Sequence, residues 1–175
     1  MKSIAVIYCC LLLISCTNQS ETSLTKTILL EEVKNNHTTA DWYVPLRTAV
    51  TGLTAEQADW KDSVGTHSIR ELLSHVLFWN EKILRAYRGE PALSFNGDNE
   101  STFTKLDNVD WKEAINRLDS VQIQWEQAVA QATEQQLKDG GSEIASMLSH
   151  MAYHTGQIVY IRKRNGWWKS AQGVE

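Results

Sequence analysis

The sequence predicts an all-α protein, a four-helix bundle. Apolar residues recur at helical spacing through the long segments, no alternating β pattern of useful length appears, and helix-capping signatures stand where the periodic stretches begin. At 175 residues the chain is sized for one domain with a real core.

The N-terminus is set aside from the bundle. MKSIAVIYCCLLLISC carries Lys2, an apolar run from Ile4 to Ile14, and a small residue before Cys16. The run is too short to span a bilayer and fits a secretory signal. Leu13-Ile14-Ser15-Cys16 resembles a bacterial lipobox, which predicts a signal peptide over 1–15, lipidation of Cys16, and a polar tether over 16–23. The expected location is the cell envelope, anchored to a membrane by lipid. All three cysteines, Cys9, Cys10 and Cys16, then leave or carry lipid, so no thiol remains for a disulfide, a nucleophile or a metal.

The bundle is expected over 24–168, with a tail over 169–175. The first helix is read from about Leu24 to Val50, with a kink or break near Tyr43 and Val44 because Pro45 lies inside it. Thr54-Ala-Glu-Gln57 is a capping box and predicts a short helical turn to Trp60. The second helix starts sharply at a second capping box, Ser68-Ile-Arg-Glu71, and ends at Gly89-Glu90-Pro91. Residues 91–108 are rich in Ser, Asn, Asp and Gly and read as a long loop of the kind that often carries function. The third helix opens at Asp110-Trp-Lys-Glu113 and runs through Val129, with Thr133 to Lys138 as a frayed continuation or short turn. Gly140-Gly141 is read as a chain break and Ser142 as the cap of a fourth helix of length comparable to the others, ending at Asn165-Gly166. The Trp167-Trp168 pair is expected to close the end of the bundle.

The net charge of -4 and the lack of any basic stripe give nucleic-acid binding no electrostatic support. There is no HExxH motif, because Met151 stands where that motif places its Glu; nor is there a nucleophile elbow or a phosphate loop.

Chemistry can come from the five histidines. His150 and His154, four residues apart, share one helix face at the border of the apolar stripe, a spacing that can chelate an ion or simply pack. His75 lies at the edge of the apolar face of the second helix, beside Leu72 and Trp79. If the second and fourth helices are neighbours, the three imidazoles can converge. His67 precedes a cap and His37 lies in or near a break, so both are left out of the site.

Two segments carry a resemblance to a known family. SIRELLSH over 68–75 and HMAYHTGQI over 150–158 resemble the helix-two pattern SIxELLxH and the helix-four pattern HxxxHxGQI of the DinB-like (also called YfiT-like) helical bundle superfamily. The resemblance spans about residues 24–168. It implies a four-helix bundle with a divalent metal, Zn or Ni, on His75, His150 and His154. It further implies a small-molecule substrate and either hydrolysis or transfer dependent on a low-molecular-weight thiol, and it admits a homodimer. The rival reading is a non-catalytic envelope module whose metal is structural or absent. Three protein ligands leave coordination open, as catalytic zinc sites do. Asn80, Gln157 and Tyr153 are candidates to orient the imidazoles, and Glu71, one turn from His75, is already committed as a cap.

Overall fold

The computed structural model describes residues 23–173. The signal peptide, Cys16 and nearly all of the tether lie outside the described residues. Within them the chain is all-helical, with no strand. No helix among them is long and apolar enough to cross a membrane.

Six α-helices follow in order: α1 Leu24–His37, α2 Leu46–Val50, α3 Ala55–Asp59, α4 Ile69–Tyr87, α5 Trp111–Gln131 and α6 Glu134–Arg164. The four long ones, α1, α4, α5 and α6, form the bundle. α6 lies against α4 on one side and α1 on the other, while α5 packs on α1 and α4. The core runs through the middle, with Leu29 and Val33 of α1, Leu73 and Leu77 of α4, Leu118 and Trp125 of α5, and Met151 and Ile158 of α6 buried together. Trp125 is fully buried, and a void of that size would cost about 3–5 kcal/mol.

The first expected helix is two helices. Pro45 lacks an N–H and biases Val44 away from the helical region, so the chain leaves α1 at Thr38 and re-enters at α2 with Pro45 as its N-cap. The interruption is a full segment rather than a kink. The other end of α2 is held from α6: the buried Arg162 guanidinium donates to the carbonyls of Thr48, Ala49 and Thr51 at 3.3, 2.6 and 3.1 Å. A cation there meets the carbonyl end of the helix. Trp168 lies under the same guanidinium and Trp167 packs edge-on to Trp60, so the tryptophan pair closes this end of the bundle.

Both capping boxes at Thr54 and Ser68 form. Glu71 accepts from the Ser68 amide at 2.9 Å and pairs with Lys61 at 2.6 Å. Burial works to raise its pKa, but Lys61 and that amide outweigh it and hold the carboxyl below its ordinary value. Glu71 is therefore a fixed, engaged anion rather than a free base.

The expected break at Gly140-Gly141 does not occur. α6 starts at Thr133, whose capping box with Gln136 satisfies the first turn, and runs 31 residues without interruption. The four long helices thus have 14, 19, 21 and 31 residues rather than comparable lengths. The glycines serve packing instead. A Cβ on Gly140 would meet the Tyr87 ring at 2.9 Å, and one on Gly141 would touch Leu29 at 3.6 Å. Their cost to helix stability is offset by letting α6 approach α4 and α1 closely.

Candidate metal centre

α4 and α6 bring His75, His150 and His154 together. Nε2 of His150 lies 3.0 Å from Nε2 of His75 and 2.9 Å from Nε2 of His154. One nitrogen from each ring falls within a 4.8 Å group. His75 and His154 are buried and His150 is half-buried.

The protons on these rings can be placed from their neighbours. The Thr102 hydroxyl donates its single hydrogen to the Asn99 carbonyl at 2.6 Å, so toward His75 it can only accept. His75 therefore donates from Nδ1 to Thr102 Oγ1, at 2.5 Å, and its Nε2 carries a lone pair. His154 donates from Nδ1 to Gln157 Oε1 at 2.6 Å, and its Nε2 is likewise a bare acceptor. His150 has at most one Nε2 proton to give, and it faces both acceptors. At least one of the two short contacts thus sets lone pair against lone pair unless a cation lies between them. Two nitrogens about 2.0–2.1 Å from a common ion lie roughly 2.8–3.4 Å apart, from a right-angled to a tetrahedral arrangement, and these separations fall inside that range. The donor set fits a divalent ion that favours imidazole, zinc and nickel among them.

The electrostatics agree. Burial, with His154 and His150 alongside, pushes the His75 pKa down to about 3. Burial and His154 lower His150 to about 4. Burial also lowers His154, although the Gln157 bond works in the opposite direction. All three rings are neutral at pH 7, the form that binds a metal.

Local structure holds these rings in place. The Ser68 cap fixes the start of α4, which sets the rotation that aims His75 at α6. The loop between α4 and α5 closes over it. Ser74 Oγ donates to the Thr102 carbonyl at 2.7 Å and accepts from the Lys105 amide at 2.9 Å, pinning the 3-10 turn Glu100–Thr102 on α4. Phe103, next in the loop, stacks on His75 with centroids 4.2 Å apart, and His67 stacks on the far face of Phe103 at 3.7 Å. His67 is a packing ring behind the site.

Of the three proposed orienting residues, Gln157 contacts a site imidazole directly. Tyr153 packs edge-on against the His154 ring with centroids 5.0 Å apart and accepts from Gln157 at 3.4 Å. Asn80 does not reach the site: it donates to the Val76 carbonyl and accepts from Gln122 of α5, locked in the core. Thr102 and Phe103 escaped the sequence reading, because a threonine in a polar loop 27 residues from His75 carries no periodic signal. His37 lies apart, buried between Asp119 at 3.0 Å and Glu126 at 3.6 Å.

The cluster is reached from solvent. A cleft of about 460 Å³ between α4 and α6 is lined by His75 and His150, with Trp79, Ile83 and Met147 as apolar walls.

A family model of the DinB superfamily matches residues 44–158, about two thirds of the chain and the stretch that carries all three histidines. The chain belongs to the DinB superfamily. No curated protein and no solved structure matches it. The all-helical architecture is that of a DinB-like protein, and its three-histidine group could hold a metal ion.

Proposed function

We propose that this DinB-superfamily chain is a divalent-metal-dependent enzyme acting on a small molecule. His75, His150 and His154 would be its three protein ligands. The observation that carries the reading is the pair of bare Nε2 acceptors facing His150 at 2.9–3.0 Å, each with its Nδ1 proton already engaged. A divalent ion held there would supply Lewis-acid activation of a water or of a low-molecular-weight thiol. The chain's own residues supply the rest. Thr102 and Gln157 hold the ring tautomers, Phe103 fixes the plane of His75, and burial keeps the imidazoles unprotonated. The open cleft favours an enzyme over a module with a closed structural ion.

Hydrolysis is the preferred reaction class. The lipobox at Leu13–Cys16 supports a chain tethered outside the cytoplasm, where a cytosolic thiol cofactor is scarce. Cys16→Ser should release the protein from the membrane fraction; retention there would overturn the tether.

The test is elemental analysis of the full chain after dialysis, beside His75→Ala and His154→Ala. About one equivalent of zinc or nickel, lost in both variants, is the expected result. No uptake after reconstitution would return the histidines to packing. If the ion were structural, His150→Ala would lower the melting temperature substantially rather than abolish activity in a stable fold.

A further inference from the structure

The cleft that reaches His75 and His150 has a second chemical end. Glu143 lines it, seven residues before His150 on α6, two turns or about 10 Å along the helix axis. Between them Met147 of α6 and Trp79 and Ile83 of α4 make apolar walls. The remaining lining groups, Asn99 and Ser146, are neutral. Among the described residues Glu143 is the single formally charged side chain lining the cleft. It forms no ion pair with any described residue.

We infer that Glu143 is a specificity-determining residue that receives an ammonium group, so that the cleft takes small amines with an apolar body and a Lewis-basic end directed at the imidazoles. This rests on the metal-centre reading above. The apolar walls exclude a substrate that is charged along its length, since its middle would lose water without gaining a partner. A carboxylate at the far end selects against anionic tails by repulsion as much as it selects for cationic ones.

Three hydroxamates of one length provide the probe: 6-aminohexanohydroxamic acid, hexanohydroxamic acid and the monohydroxamate of adipic acid. Each is titrated calorimetrically into the zinc-loaded full chain and into its Glu143→Gln variant. The aminohexanoyl compound is expected to bind about fivefold tighter than the uncharged one at low salt, the modest gain of a solvent-accessible ion pair, and that margin should shrink in about 0.5 M salt. The carboxylate compound should bind most weakly. In Glu143→Gln the three affinities should converge while that of hexanohydroxamic acid holds. Equal binding of all three to zinc-loaded wild type would overturn the assignment of Glu143 and leave the metal centre intact. A chain that takes up no zinc and binds none of the three would overturn both.

Discussion

Two buried histidine neighbourhoods in this bundle are built on opposite electrostatic plans. His37 of α1 sits between carboxylates, with Asp119 and Glu126 of α5 beside its ring and Arg47 closing on Asp119 at 2.9 Å. Arg47 gives Asp119 a partner of opposite sign, and the group ties α1 and α2 to α5. At the other site no carboxylate touches an imidazole nitrogen of His75, His150 or His154 among the described residues. Neutral acceptors take the Nδ1 protons of two rings and the Nε2 atoms face each other. The His37 ring already has a carboxylate beside each of its nitrogens. A trio given only neutral acceptors and one another is complete once a cation arrives. Burial alone does not distinguish a structural histidine from a ligand; here the Nε2 atoms facing one another do.

The sharpest way to break the comparison is to remove one member from each site. His75→Ala should take metal content from about one equivalent to near zero, read by elemental analysis. His37→Ala should leave metal content unchanged. A loss of metal in both variants would mean that the two sites are one cooperative unit.

Acid separates them next. The ligand pKa values are lowered, so in metal-free protein the unfolded chain binds protons that the folded chain refuses. Stability is full above about pH 6.5 and falls as pH drops through about 4 toward 3. Loaded protein should resist this decline, because the ion holds the neutral form. Denaturant titrations of both forms between pH 7 and pH 4 would show it, and equal acid sensitivity would count against the ion.

The neutral acceptors come third. Thr102→Val removes the group that fixes the His75 tautomer, and metal affinity should weaken about 10- to 100-fold with the fold retained. Competition with a chromophoric chelator measures this. At the charged site, His37→Ala should cost about 1–3 kcal/mol of folding stability, limited because Asp119 and Glu126 keep partial access to water. The smallest effect belongs to Gly140→Ala, where the new methyl meets Tyr87. The clash should outweigh the better helix propensity by about 1 kcal/mol with metal content unchanged.

These contrasts also explain what could be read from the sequence. His150 and His154 stand out by spacing, and His75 by its place at the edge of the apolar face about two turns inside a capped helix, since local periodicity encodes which face a side chain shares. The SIRELLSH and HMAYHTGQI segments added the family. The Thr102 contact depends on how a loop folds back onto α4, which no local pattern specifies. Asn80 looked like a site residue because it lies near His75 on the same helix, yet Gln122 across the core claims it. Glycine more often ends a helix than fills one, so the pair reads as punctuation in the sequence. Only the nearness of Tyr87 and Leu29 shows why it sits mid-helix, although the Thr133–Gln136 capping box marked the true start.

The most direct test is X-ray absorption at the edge of the metal bound to the full chain. The account predicts about three imidazole nitrogens at roughly 2.0–2.1 Å, light oxygen ligands completing the shell, and no sulfur. A sulfur shell, or a shell of oxygen alone, would place the ion elsewhere and contradict the assignment of His75, His150 and His154.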